Sequence, residues 1–255
     1  MPQSVFLKAG NENMKIISDM HTHTNVSAHA YSSLEEMVRG AKDAGLRAIA
    51  ITNHGPGMQD GAHQWHFGNM RVLPREIDGV LVIRGIECNI LPPDGSIDPM
   101  ENWCYDSLDY VIASFHEPAF KPANAKVHTQ VLENILHNPR VHCLGHLGNP
   151  NFPFDMERII SQCNECGKIV EINNNSVLAR KGSTENCIEI ARLCKQYRVP
   201  IVLSTDAHIS FRVGKFENAL SVLEAVDFPE ELVLNADEER FFAYLREHCG
   251  IDSAF

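Results

Sequence analysis

The sequence predicts an α/β barrel, and three observations carry that prediction. Seven short β-type runs alternate with amphipathic helical stretches along one uninterrupted chain of 255 residues. Such alternation argues for a parallel sheet. The runs are near-continuously apolar, as strands covered on both faces are. At 44% hydrophobic residues the chain can bury one large core, and (β/α) barrels of about this length are single domains. Seven consecutive units favour a closed barrel over an open doubly wound sheet.

The first run spans 15–20. Ser33-Leu-Glu-Glu36 is a capping box that opens a helix to about Ala44, closed by Gly45. The second run is 47–52, followed by a Gly/His/Pro-rich loop at 54–69 and a short helix near 69–76. The third run is 80–86. Residues 91–106 form a turn-rich insertion with Pro92, Pro93, Gly95 and Pro99. The fourth run is 110–115, then a helix at about 126–137 and the fifth run at 141–145. Residues 155–166 are helical and Gly167 caps them. The sixth run is 168–172, followed by a helix at 184–197 and the seventh run at 200–204. Helices at about 216–226 and 237–248 complete the chain.

The formal net charge is −11. So acidic a chain has no general attraction for a nucleic-acid backbone or an anionic membrane. No stretch reaches about 18 consecutive apolar residues, so no membrane span is expected. Residues 1–14 lack the layout of a secretory signal and read as a short flexible leader before one domain at 15–255. The eight cysteines have no framework spacing, and they read as reduced thiols of a cytoplasmic protein. Cys163-Asn-Glu-Cys166 falls inside a helical pattern with no second pair, so it reads as ordinary packing positions.

The residues at the end of each run carry the chemistry. His21 and His23 leave the first run two residues apart, so in extended backbone both imidazoles aim to one side. Asp19 shares that parity and is expected to orient one of them. His29 comes next. The second run delivers His54, the third Glu87, the fourth His116, the fifth His146, and the seventh Asp206 and His208. The sixth ends in Asn173, Asn174 and Asn175. In parallel α/β folds all these ends share one face, where sites are built. Seven imidazoles and two carboxylates exceed what one four-coordinate zinc uses. They suit two or three ions, zinc best, with manganese or iron as alternatives. Clustered divalent ions about 3.5–4 Å apart serve phosphate-ester hydrolysis.

Asp19-Met-His21-Thr-His23, Thr52-Asn53-His54, Gly85-Ile-Glu87, Phe115-His116-Glu, Gly145-His146-x-Gly-Asn-Pro150 and Ser204-Thr-Asp206-Ala-His208 resemble the PHP (polymerase and histidinol phosphatase) superfamily. The intervening segments His29-Ala-Tyr-Ser, Trp65-His-Phe-Gly-Asn-Met-Arg, Glu171-Ile-Asn-Asn and Arg180-Lys-Gly-Ser are similar to its stand-alone YcdX-type phosphatases. The resemblance covers about 15–245. It implies a distorted (β/α)7 TIM-like barrel with a trinuclear zinc site at the C-terminal ends of the strands. It implies that His21, His23, Glu87 and Asp206 bind one ion, that Glu87 bridges to a second held by His116 and His146, and that His29, His54 and His208 hold the third. Two positions depart from the family pattern: Asn53 stands where an aspartate is usual, and Leu147 where a proline is usual. A neutral amide tunes an imidazole less strongly than a carboxylate.

The expected activity is hydrolysis of small phosphate monoesters by a metal-activated water, with no protein nucleophile. Arg180 and Lys181 are the first candidates to hold the phosphate, then Arg71, and His66 lies where it can touch substrate. The segments 57–69, 91–106 and 174–183 are the expected specificity loops. Rival readings are a phosphodiesterase or exonuclease, a histidinol phosphatase, and a non-catalytic metal-binding regulatory barrel. The absence of basic tracts argues against nucleic-acid substrates. Oligomeric state leaves no mark in the sequence.

Overall fold

A computed structural model describes residues 14–252. The leader expected at 1–14 lies outside them except for Met14, which is buried against the core. Seven parallel strands form a nearly closed barrel: β1 (Ser18–Thr22), β2 (Ala48–Ile51), β3 (Val80–Leu91), β4 (Tyr110–Ser114), β5 (Cys143–Leu144), β6 (Ile169–Asn173) and β7 (Ile201–Ser204), paired in that order. Each matches a sequence-predicted run to within a few residues. β3 is longer than predicted because it spans two partners: its first half pairs with β2, and Gly85–Asn89 pairs with β4. Glu76–Ile77 adds a short antiparallel hairpin to β3 that the sequence did not signal.

Inside the barrel, Met20, Ala48, Ala50, Leu81, Ile83, Tyr110, Ile112, Cys143, Ile169 and Val202 pack together. Phe241, Tyr244 and Leu245 of the helix Glu238–Cys249 close the floor. A second, larger cluster lies between the strands and the surrounding helices. The capping box forms as predicted: the Ser33 hydroxyl accepts from the Glu36 backbone, and the Glu36 carboxylate accepts from the Ser33 backbone. The helix predicted at 155–166 shortens to Met156–Ile160, after which the chain turns. Leu147 is buried in the outer core. All eight cysteines are free thiols.

Along β3 the inward series Leu81, Ile83, Gly85, Glu87 keeps the period of two. The apolar interior therefore gives way to a carboxylate at the strand's C-terminal half. The other strands make the same change at the same height, which puts the polar ends on one rim.

Candidate metal centre

All nine donor residues from the strand ends meet at that rim. His29, His54, Glu87, His116, His146, Asp206 and His208 line a cleft of about 500 Å³. His21 and His23 lie beneath it, fully buried. Glu87 is at the centre: His54 Nδ1 is 2.8 Å and His21 Nε2 3.3 Å from its Oε2, while His146 Nε2 is 2.9 Å and His116 Nε2 3.1 Å from its Oε1. Its backbone is fixed on both sides, by Glu87 N–H to Asn53 O at 3.1 Å and Gly55 N–H to Glu87 O at 2.9 Å. On the other flank His23 Nε2 lies 3.2 Å from Asp206 Oδ1. The His29 ring stacks 4.4 Å from that of His208 and 5.0 Å from that of His54.

This packing of polar atoms tests whether metal ions fit. His21 Nε2, both ring nitrogens of His23 and of His54, His208 Nε2 and Glu87 Oε2 are buried with no hydrogen-bond partner. One buried orphan costs about 1–3 kcal/mol, and so many converging on one place need a common partner. Ligand atoms of His23, His54 and His208, of His21, His23 and Glu87, and of His54, Glu87 and His116 each lie within 4.8 Å of one another. Donors sharing an ion at roughly 2.0–2.3 Å can be no more than about 4.6 Å apart, so these sets are close to coordinating range. Imidazole with carboxylate suits zinc, and iron or manganese less specifically. The residues fit.

Charge is arranged accordingly. Burial opposes ionisation of Glu87, but His116, His21 and His54 outweigh it and hold its carboxyl well below the usual range. Asp206 behaves likewise beside His21 and His23. Burial pushes His23 well down and lowers His146 and His208, leaving them as neutral donors. Burial also opposes protonation of His21, yet Glu171, Glu87 and Asp206 prevail and raise it well above its usual value. His146 and Asp206 have φ of 30° and 54°, a strained backbone of the kind found at functional sites.

Sequence reasoning missed Glu171 as part of the site; it is buried in β6. His21 Nδ1–H donates to Glu171 Oε1 at 2.7 Å, and the His146 backbone N–H donates to Oε2 at 2.7 Å. The signal was a lone carboxylate inside an otherwise apolar strand. Asp19, expected to orient an imidazole, instead accepts from the Thr205 backbone at 3.0 Å, the Thr205 hydroxyl and the Gly214 backbone. Burial raises its carboxyl to about 6. Asn53 also serves the scaffold: its Oδ1 accepts from Thr24 N–H at 2.9 Å and Ser27 Oγ at 3.0 Å, and its Nδ2 lies 3.2 Å from His66 Nε2.

Of the expected substrate contacts, only Arg180 lines the cleft, where its guanidinium donates to Ser176 Oγ at 3.0 Å and depresses His146. His66 is held by Asn53 away from the cleft, and Arg71 and Lys181 are exposed outside it. Asn174 and Asn175, from the expected specificity loop 174–183, also line it, as do Arg212 and Asn149, which the sequence reading did not single out. Among the described residues no helix is long and apolar enough to cross a membrane.

The model of the PHP domain family matches residues 19–177. A protein from Acetivibrio thermocellus named probable phosphatase is 45% identical over 233 residues, covering 91% of this chain and 96% of that one. A protein of the same name from Shewanella piezotolerans is 45% identical over 242 residues, covering 94% and 98%. Among solved structures, histidinol phosphate phosphatase from Lactococcus lactis, complexed with zinc, L-histidinol and phosphate, aligns with a TM-score of 0.59. It is 17% identical and covers 83% of this chain and 94% of that one, a likeness of fold.

Proposed function

We propose that this chain, which belongs to the PHP domain family, is a metal-dependent phosphatase that hydrolyses small phosphate monoesters. The observation that carries the proposal is the set of buried, unpartnered imidazole and carboxylate atoms beneath a cleft of about 500 Å³. The relatives' shared name of probable phosphatase supports the reaction class.

His21, His23, His29, His54, Glu87, His116, His146, Asp206 and His208 would hold up to three ions, zinc in the first place. When bound, divalent ions there supply Lewis acidity and lower the pKa of water toward neutrality. The chain's own residues do the rest. Glu87, with both oxygens facing imidazoles, is the shared carboxylate of the cluster. Arg180, beside His146 in the cleft wall, would bind phosphoryl oxygens and balance charge as it shifts toward the leaving group. The side-chain amides of Asn149 and Asn175 offer neutral hydrogen bonds to the rest of the substrate. Among the described residues, Arg180 and Arg212 are the arginine or lysine side chains lining the cleft, which favours a small ester over a nucleic-acid strand.

The test is elemental analysis of the purified protein beside hydrolysis of a phosphomonoester panel, a diester, single-stranded DNA and histidinol phosphate. Expected are bound zinc, monoester hydrolysis lost on chelation and restored by zinc, and a folded but inactive His21→Ala/His23→Ala variant. Wild-type turnover by that variant would remove the metal centre from the reaction. A metal-loaded protein that cleaves no ester would mark a binding barrel instead.

A further inference from the structure

The insertion at 91–106, expected to meet substrate, lends no residue to the cleft lining; its Ser96–Ile97 pairs back onto Ile90–Leu91, and its Asp98 is 1% exposed. The Asp98 carboxylate accepts from the backbone N–H of Asn89 at 2.5 Å and from that of Gly57. It also faces the Asn89 side chain, whose Nδ2 donates to Asp98 Oδ1 at 3.2 Å, to Oδ2 at 3.1 Å and to Gly55 O at 3.1 Å. The loop after β2 is shaped around this carboxylate. A Cβ at Gly55 would stand 2.1 Å from Asp98 Oδ2, and one at Gly57 would stand 2.5 Å from Oδ1, so this approach requires glycine at both positions.

Donor and acceptor chemistry then fixes one ligand. An ionised carboxylate and a carbonyl oxygen only accept, so the Asn89 NH2 group must face them. Asn89 Oδ1 therefore points the other way, where it lies 2.8 Å from His116 Nδ1. An amide oxygen only accepts, so His116 carries its proton on Nδ1. Its other nitrogen, Nε2, is thereby turned to the cluster, 3.1 Å from Glu87 Oε1. Metal-binding histidines are commonly held in just this way by their other nitrogen.

We propose that Asp98 is a positioning residue for the metal centre: by fixing the Asn89 side chain it holds His116 with Nδ1 protonated and Nε2 free to bind an ion. This rests on the metal-centre reading above. Asp98 touches neither the cleft nor any candidate ligand, and its hydrogen-bonded path to His116 runs through the Asn89 side chain. The relay also ties the insertion and the loop after β2 to one imidazole.

The experiment measures zinc stoichiometry and affinity by chelator competition in the full chain, with the His116 Nδ1–H resonance followed by NMR. The proteins are the wild type, Asp98→Ala, Asp98→Asn, Asn89→Ala, the double variant Asn89→Ala/Asp98→Ala, and Tyr105→Phe. The Tyr105 hydroxyl donates to Asp98 O at 2.6 Å, so its loss loosens the insertion without touching the carboxylate. Asp98→Ala and Asn89→Ala should each weaken one zinc by roughly 10–100-fold. The double variant should be no weaker than Asn89→Ala, because the two residues act in series. Asp98→Asn, which keeps the shape, should show an intermediate loss, and the Nδ1–H signal should broaden in all of these. Tyr105→Phe should lower thermal stability and keep wild-type zinc affinity. Unchanged affinity in Asp98→Ala, additive losses in the double variant, or an equal zinc loss in Tyr105→Phe would overturn the relay. A wild type that binds no zinc would fell the metal centre itself, a separate result.

Discussion

Glu171 serves two candidate ligands with one carboxylate: one oxygen accepts a hydrogen bond from His21 Nδ1–H, and the other accepts from the backbone N–H of His146 at its strained φ of 30°. Both partners are donors, so Glu171→Gln must turn its NH2 group toward one of them. The expected outcome is a folded protein whose zinc affinity, read by chelator competition, falls roughly 10–100-fold. This residue also marks the limit of what single positions revealed. The nine donors were legible because each comes after an apolar run, where a polar side chain stands out. Glu171 lies inside such a run, and only its tertiary partners explain it. Asp19 was misjudged for a related reason. Counting by twos assumes regular backbone, but the register of β1 shifts between Asp19 and Thr22, and the bulge turns Asp19 away from the imidazoles toward Thr205 and Gly214. Asn53 and His66 pair with each other across 13 positions of chain, a contact that no local pattern encodes.

Elements with strong local signals were legible to within a few residues, as the capping box at Ser33 and the apolar runs show. The short helix Asn174–Ala179 was not, because three asparagines look like a loop. Asn173 nonetheless caps it, its Oδ1 accepting from Ser176 N–H at 2.8 Å. The insertion at 91–106 looked like a free loop because its turn residues announce bends and say nothing of where the bends pack. Gly95 shows the packing: it has φ of 80°, and an added Cβ would lie 2.7 Å from Val131 O on the helix Ala125–Leu136. Gly95→Ala should therefore cost about 2 kcal/mol or more, measured by urea unfolding in chelator. His142, just before β5, makes a joint of a different kind with the C-terminal helix. Its Nδ1 accepts from Val111 N–H at 3.1 Å, and its Nε2–H donates to His248 O at 3.0 Å. Burial, opposed by the bond to His248, with Lys168 and His248 nearby repelling charge and Asp109 attracting it, lowers its pKa below 6.5. The unfolded chain then takes up this proton first as pH falls. Its contribution is complete above about pH 6.5 and declines below it, by up to about 1.4 kcal/mol per pH unit. The slope of metal-free stability against pH should flatten in His142→Gln, and an unchanged slope would remove His142 from the account.

At the scale of the whole molecule, the question left open by the sequence was how an alternating α/β chain closes. β1 and β7 do not pair along their lower halves. The buried side chain of Asn235 is wedged between them instead: Nδ2 donates to Ser18 O at 2.9 Å and Leu203 O at 2.8 Å, and Oδ1 accepts from Leu203 N–H at 3.1 Å. Higher up, the seam is closed by the segments that carry candidate ligands, through Asp206 N–H to His21 O and His23 N–H to Ala207 O, each at 2.9 Å. The candidate ligands therefore straddle a join of the barrel that no continuous strand ladder closes, with His21 and His23 on one side and Asp206 and His208 on the other. Ions bound by both sides would act as a clasp, and their binding energy would add to the stability of the closed form. The lower and upper seams should respond to different perturbations. Asn235→Ala leaves Ser18 O and both Leu203 backbone groups without this partner, so it should cost about 3 kcal/mol or more. Chelation, by contrast, should act on the upper seam: amide exchange of His23 and Asp206 should quicken while the amides of β4, across the barrel, keep their protection. Exchange that rises evenly around the barrel on metal removal would mean that the ions stabilise the fold without holding this seam.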